Sequence, residues 1–328
     1  MSSVNVNVHD LGVTGFSLIH DIMGQLCLLQ LVMVLTLLLH SLPAAAGQNF
    51  NVPNPLRIGF SARVFPDVDQ RDAKIAMELW TRELVRGMGL KTATQTIIYK
   101  NSRDLLEAVK RGDLTVVSLP ALEYLQVRDR APMAPIIVAG SNAGTGRRFV
   151  LVVRHDSGIR SLANLRGKSI TLLLSSKHEI SQFWLSAMLM KEGFRDRETF
   201  FRQTKESTSS SQAMMAVFFK QADAAIISRA AYETNTTLNP QMGKQLSIIS
   251  ESKSLLGDVT CVPDMVEEPL KRAIENAALH LHESALGKQM FTLFQIDRAI
   301  PFSPAHLDGV VELLRERDHL LAKQTKRR

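Results

Sequence analysis

The chain has 328 residues, of which 45% are hydrophobic and 22% are charged, proportions typical of a globular protein rather than of a disordered or repeat chain. Lysine and arginine outnumber aspartate and glutamate by 39 to 32, and the resulting net charge of +7 favours anionic ligands or surfaces. The basic residues are spread along the chain instead of forming a patch, so the composition does not indicate nucleic-acid binding.

The first 46 residues predict an export signal. Residues 26–39 are nearly all apolar, and Ala44, Ala45 and Ala46 supply the small side chains found before a cleavage site. The segment ahead of the apolar run is long and has no positive charge, so an uncleaved N-terminal anchor is the alternative. Both interpretations predict an exported, periplasmic protein that meets the membrane only through this segment. Residues 47–55 form a linker rich in Asn and Pro.

The next part of the chain alternates strands with helices. Apolar and β-branched runs predict strands at 56–60, 94–99 and 114–119, and helical periodicity predicts helices at 72–86 and 102–110 between them. Such a β-α-β-α-β succession predicts a parallel sheet with crossover helices. Another strand at 134–139 and three glycines, Gly140, Gly144 and Gly146, lead into a second lobe.

The second lobe has a similar pattern. Strands are predicted at 149–153, 169–174 and 222–228, with a helix up to Gly193 and another at 212–219. A strand near 245–250 returns the chain to the first lobe, and helices are predicted from Glu267 onward. The predicted fold class is α/β with two lobes, each a mostly parallel sheet flanked by helices, joined by two crossover strands. Lobe 1 comprises residues 56–146 and 247–328, and lobe 2 comprises residues 147–246.

Four stretches resemble a known family: LRIGFSARVF, DLLEAVKRGDLTVVSLPALEYL, VVRHDSGIRSLANLRGKSITL and MMAVFFKQADAAIIS. They are similar to segments of the substrate-binding proteins of phosphate, phosphite and phosphonate ABC importers. The resemblance implies a periplasmic-binding-protein fold of type 2, without enzymatic activity or cofactor. It also implies a monomer that captures a phosphonate-like, phosphite-like or phosphate-like anion between its lobes and delivers it to an ABC permease.

The candidate ligand site lies at the turn after the strand at 169–174. Ser175, Ser176, Lys177 and His178 precede a helix, and the free N–H groups of a helix start attract anions. Ligands of open α/β sheets lie beyond the carboxyl ends of the strands, which favours the same place. Ser175 and Ser176 match the leading serines of the family's STSG-type motif, but Lys177 and His178 do not match its remainder. The ligand's identity therefore stays open, and an ordinary helix cap is the alternative.

The topological rule also selects residues at the ends of other strands. They are Ser61 and Ser118 in lobe 1, Tyr124 on the following helix, and Ser228 in lobe 2. Serines at these positions also commonly cap helices, which is the alternative for each of them. Asp223, which lies before a buried run rather than after it, is expected to be structural.

The sequence also leaves other functions open. A periplasmic ligand-sensing module could share this fold, and related folds host pyrimidine-forming enzymes. His178 with Glu179, and His280 with His282, have no evident third ligand, so no metal site is predicted. Cys261 has no histidine near it in sequence, so we expect a buried thiol rather than a nucleophile. Because Cys27 falls in the predicted export signal, no internal disulfide is expected.

Overall fold

The computed structural model describes residues 51–64, 70–141, 144–173, 179–194, 196–293 and 296–325. The predicted export signal lies outside these residues. Within the described ranges, no helix combines the length and hydrophobicity that crossing a membrane requires.

The strands of the described residues fall into two sheets. In chain order they are β1 Leu56–Ser61, β2 Thr94–Tyr99, β3 Val116–Pro120, β4 Met133–Ser141, β5 Gly144–Thr145, β6 Phe149–Arg154, β7 Ser169–Leu173, β8 Gln203–Ser207, β9 Ala224–Ser228, β10 Leu246–Glu251, β11 Asp258–Pro263 and β12 Arg298–Pro301. The first sheet has the order β12-β4-β11-β3-β1-β2, with β5 paired to β4, and the second has the order β10-β6-β9-β7-β8.

Helices flank both sheets. They are α1 Gln70–Gly87, α2 Ser102–Lys110, α3 Ala121–Val127, α4 Glu179–Lys191, α5 Arg197–Phe200, α6 Ser210–Phe218, α7 Arg229–Leu238, α8 Pro240–Gln245, α9 Glu268–His280, α10 Ala285–Leu293 and α11 Asp308–Thr325. We call the first sheet with its helices lobe 1 and the second sheet with its helices lobe 2. The α/β class and the two-lobed architecture predicted from the sequence are confirmed.

The β-α-β units form parallel ladders, as the crossover rule predicts. β1 pairs in parallel with β2 and β3, and β7 pairs in parallel with β8 and β9. The strands beside the crossovers are antiparallel to their neighbours: β11 lies between β3 and β4, and β6 lies between β9 and β10. Each sheet is therefore mixed. The strand that follows each crossover, β6 in lobe 2 and β11 in lobe 1, enters its sheet from the end that faces the other lobe and so runs against its neighbours.

The return to lobe 1 comes later than the sequence indicated. We placed the boundary at residue 247, but β10 pairs antiparallel with β6 from Leu246 to Glu251 and so belongs to the second sheet. A strand-like pattern gives no information about its partner, and in the folded chain β6 supplies the hydrogen bonds that β10 needs. The chain crosses back only within residues 252–257.

Two crossover segments, residues 144–148 and 252–257, join the lobes side by side. Arg147 donates its backbone N–H to the Leu255 carbonyl at 2.7 Å, and Leu255 donates to the Arg147 carbonyl at 2.9 Å. The Ser254 hydroxyl donates to the Thr145 carbonyl at 2.7 Å. These bonds hold the two segments together, so we expect the two crossover segments to move as a unit when the lobes open or close.

The C-terminal helix α11 connects the lobes a third time. Although it follows β12 of lobe 1, it packs along α4 of lobe 2. Lys191 of α4 pairs with Glu316 at 2.7 Å, and the Arg317 guanidinium lies 4.5 Å from the centre of the Phe183 ring. Sequence analysis placed 247–328 wholly in lobe 1, because the apolar stripe of a helix shows that it packs but not against what.

Asp223 has the structural role expected from its position. Its Oδ2 accepts hydrogen bonds from the Ser169 N–H at 2.8 Å and from the Ser169 hydroxyl at 2.7 Å, and its own N–H donates to Ser169 Oγ at 3.0 Å. These bonds join the start of β7 to the start of β9. Burial alone would raise the pKa of the Asp223 carboxyl, but the hydrogen bonds from Ser169 together with the positive charges of Lys168 and Arg202 outweigh it, so the pKa lies below its ordinary value.

We predict that Asp223→Asn destabilises the protein at neutral pH by about 1 kcal/mol, because hydrogen bonds to a charged acceptor are stronger than those to a neutral amide. A carboxyl whose pKa is lowered on folding stabilises the native state above its unfolded pKa, and this stabilisation is lost as the pH falls through the folded pKa. The difference between the wild type and Asp223→Asn should therefore shrink as the pH is lowered from 7 to 3. Urea titrations at several pH values measure this difference in the free energy of unfolding.

Asp129→Asn, at an exposed carboxylate, is the control. A difference between the wild type and Asp223→Asn that grows in acid would contradict the structural role of the Asp223 carboxylate.

Cys261 is a free, buried cysteine in β11. Burial raises the pKa of its thiol far above the ordinary value, which leaves no reactive thiolate at neutral pH. The prediction of a buried, unreactive thiol is confirmed.

Candidate functional site

A cavity of about 230 Å³ lies at the junction of the lobes. Lobe 1 lines it from the carboxyl ends of β1 and β3, and lobe 2 lines it with Phe149 and the start of α4. Residues 255–258, at the end of the return crossover and the start of β11, also line it. This position agrees with the rule that ligands of open α/β sheets lie beyond the carboxyl ends of strands.

The described part of the lining carries two positive and two negative side chains. They are Arg63, Arg147, Glu179 and Asp258. Arg63 Nη1 pairs with Glu179 Oε2 at 3.4 Å, and this ion pair joins the two lobes because Arg63 follows β1 and Glu179 begins α4. The side chains are 43% and 32% exposed, so the pair stabilises the closed arrangement by less than about 1 kcal/mol. A stronger partner could therefore displace either side chain.

Arg147 occupies the outgoing crossover segment. Its backbone is fixed by Leu255, but its exposed guanidinium makes no hydrogen bond or ion pair with the residues that the structure describes. A guanidinium presents five N–H donors in a planar fork that suits an oxyanion. Arg147 thus places unused donors at the edge of the cavity.

Of the residues predicted from strand ends, Ser118 lines the cavity. Its hydroxyl accepts a hydrogen bond from Thr260 Oγ1 at 3.4 Å. Ser61 does not belong to the described lining, and its hydroxyl instead donates to Glu123 Oε2 at 2.8 Å in the protein interior. Successive side chains of a strand point to opposite faces, so Phe60 faces the cavity and Ser61 faces away from it.

Tyr124 and Ser228 also lie away from the described lining. Tyr124 is packed in the core with 8% of its surface exposed, and burial raises the pKa of its phenol. Ser228 Oγ accepts a hydrogen bond from the Ala231 N–H at 3.2 Å and caps α7. For Ser228, the helix cap that we named as the alternative is what the structure shows.

Ser175, Ser176, Lys177 and His178 lie outside the described residues. Glu179 and Ile180, which follow them at the start of α4, line the cavity. The predicted ligand turn therefore adjoins residues that reach the cavity. Among the described residues, no group of His, Cys, Asp and Glu side chains is arranged to hold a metal ion.

Sequence reasoning missed Arg63 and Arg147. Arg63 lies two residues beyond the end of β1, inside the SARVF stretch, and Arg147 follows the glycines of the outgoing crossover. The same rule that selected Ser61 would have found Arg63 if it had been applied to the turn after the strand as well as to its last residue.

Several solved structures share this fold. A binding protein component of an ABC phosphonate transporter from Pseudomonas aeruginosa matches at 16% identity with a TM-score of 0.57, over 83% of this chain and 89% of that chain. PhnD1 from Prochlorococcus marinus in complex with methylphosphonate matches at 18% identity with a TM-score of 0.56, over 81% and 99%. A Xanthomonas citri protein bound to chloride ion matches at 14% identity with a TM-score of 0.59, over 82% and 99%.

No curated protein sequence matches the chain. The family model for the phosphonate periplasmic substrate-binding protein of ABC transporters matches residues 63–307, which include both crossover segments, the whole second sheet and every strand of the first sheet except β1. The match confirms the resemblance seen in the sequence. This chain belongs to the family of ABC-transporter phosphonate periplasmic substrate-binding proteins, a family of transport proteins rather than of enzymes.

Proposed function

We propose that the protein captures a small phosphonate-like, phosphite-like or phosphate-like anion in the cavity between its lobes and delivers it to an ABC permease. The observation that carries the proposal is that Arg63 and Arg147 line one interlobe cavity. A charge-assisted hydrogen bond to an oxyanion contributes about 1.5–3 kcal/mol, so the two guanidinium groups favour an anion here although Glu179 and Asp258 leave the described lining without net charge. The membership of residues 63–307 in a solute-binding family supports the same function.

Binding is proposed to act on the equilibrium between open and closed lobes. The Arg63–Glu179 pair joins the lobes, but it is half-exposed and weak. An oxyanion that takes the place of the Glu179 carboxylate beside Arg63, and also reaches Arg147, links the lobe 1 side of the cavity to the crossover. The ligand then favours the closed state because it binds that state more tightly than the open state.

We also propose the anion-binding turn at Ser175, Ser176, Lys177 and His178. Its support is the position of its neighbours Glu179 and Ile180 in the cavity lining, together with the attraction of helix starts for anions. The remaining parts of the proposal are export through residues 1–46, a periplasmic location, action as a monomer and the lobe division at the crossover segments.

A thermal-shift screen tests the function. Phosphate, phosphite, methylphosphonate, aminoethylphosphonate, sulfate and small carboxylates are added to the purified protein. A ligand at one hundred times its dissociation constant should add about 2.7 kcal/mol of stability, which is a shift of a few degrees. A screen in which no anion shifts the melting temperature would contradict the proposed function.

The best ligand is then tested on variants of the proposed turn. Ser176→Ala and Lys177→Ala are expected to reduce its shift, whereas Lys244→Ala, at an exposed lysine on α8, should leave it unchanged. If the two turn variants retained the full shift, the anion would be held elsewhere in the cavity.

A further inference from the structure

We infer that the ligand carries an apolar group the size of a phenyl ring or a short alkyl chain, attached to its anionic head. This inference rests on the proposed function and specifies the class of anion. It comes from the apolar character of most of the cavity lining.

One side of the cavity is built from hydrocarbon. Phe60, Met77, Trp80, Ile137, Ala278 and Phe291 line it. The Phe60 and Trp80 rings meet edge to face, with centroids 6.0 Å apart and planes at 79°. Ala278, Phe60 and Phe291 are only 1%, 4% and 7% exposed. None of these six side chains is charged, so this side offers an apolar environment beneath α1, α9 and α10.

The four charged residues of the described lining lie elsewhere on the chain. Arg63 follows β1, Arg147 and Asp258 belong to the crossover and the start of β11, and Glu179 begins α4. The lining is therefore amphiphilic, because it combines these four charged side chains with a larger number of apolar ones. An oxyanion is strongly disfavoured in contact with hydrocarbon alone, so we place it near the arginines.

The cavity has more space than an inorganic oxyanion alone would fill. A single water molecule needs about 10–15 Å³ of such space, and the cavity has about 230 Å³. Pockets for drug-sized ligands have roughly 300–1,000 Å³. The available space therefore suits one ring or a chain of a few carbons beside the anionic head. Burying that group removes apolar surface from water, which is the main favourable contribution to such binding.

A matched series of phosphonates tests the inference. The probes are methylphosphonate, n-butylphosphonate, n-hexylphosphonate and phenylphosphonate, with dissociation constants measured by calorimetry on the purified protein. Each added methylene is expected to strengthen binding about fourfold until the cavity is full. Hexylphosphonate or phenylphosphonate should bind at least tenfold more tightly than methylphosphonate.

Two outcomes separate this inference from the proposed function. If methylphosphonate and the larger phosphonates bound equally tightly, the inference would be overturned and the proposed function would stand. If none of the anions bound, both would fail.

A cavity-filling variant locates the apolar group. Ala278→Leu places a larger side chain in the apolar side of the cavity, and it should weaken hexylphosphonate binding at least tenfold more than it weakens methylphosphonate binding. Ala299→Leu, also in the lining, serves as a second filling variant if Ala278→Leu does not fold. Ala230→Leu, on the exposed side of α7, is the control. Unchanged hexylphosphonate binding in a folded filling variant would overturn the inference.

Discussion

Replacing Gly309 with alanine should destabilise the protein by about 3 kcal/mol, although glycine to alanine inside a helix ordinarily stabilises by about 1 kcal/mol. Gly309 lies in the first turn of α11, where a Cβ atom would overlap the carbonyl oxygen of Ser254. That oxygen belongs to the return crossover, which is bonded to the outgoing crossover on its other side. Because neither backbone can yield easily, α11 would have to move away from the hinge.

Chemical denaturation of Gly309→Ala measures this effect, and the melting temperature should fall by several degrees. Gly243→Ala in α8 is the matched control, since the added Cβ would lie 3.5 Å from Thr236, an ordinary contact. This control should be neutral or slightly stabilising. Equal stabilities for the two variants would show that α11 does not press against the crossover.

Removing the arginines of the cavity should weaken anion binding more than any other pair of surface substitutions. We expect Arg63→Ala and Arg147→Ala each to raise the dissociation constant of the best anion from the screen by ten-fold to a hundred-fold. The physical basis is the loss of charge-assisted hydrogen bonds, about 1.5–3 kcal/mol for each residue. Calorimetric titration of the single and double variants measures it, together with an unfolding curve to confirm that each variant folds.

Arg148→Ala is the matched control for Arg147. Arg148 is the next residue along the chain, but it pairs with Glu251 at 3.0 Å and does not belong to the described lining. The control should bind the anion with little change. A loss of affinity that was equal in Arg147→Ala and Arg148→Ala would indicate a general effect of positive charge rather than a contact with the ligand.

A substitution of Glu179 tests the same site in the opposite direction. Glu179→Gln removes the negative charge that pairs with Arg63, so the arginine becomes available and anion affinity should rise. An unchanged affinity in Glu179→Gln, combined with a loss in Arg63→Ala, would mean that the anion and the carboxylate use different faces of the guanidinium.

Much of the fold could be predicted from the sequence because the decisive patterns are local. Alternating strands and helices between 56 and 119 predicted the parallel arrangement of β1, β2 and β3, which the structure confirms. The position of Asp223 ahead of an apolar run predicted a structural role, and its bonds to Ser169 bear this out. Four short stretches were enough to predict the family. In each case the pattern of every single segment can be seen in a few consecutive residues.

What only the tertiary structure decided depends on side-chain direction and on residues far apart in the chain. Phe60 and Ser61 are neighbours in one strand, yet Phe60 lines the cavity while Ser61 donates to Glu123. Arg63 and Glu179 are 116 residues apart, and nothing local to either one indicates that they meet. The sequence by itself determined most of the strands and helices, although not β8, β11 or β12, and the family to which the chain belongs, since periodicity and turn residues act over a few positions. Only folding decided which side chains share the cavity, because a shift of one residue along a strand reverses the face on which a side chain lies.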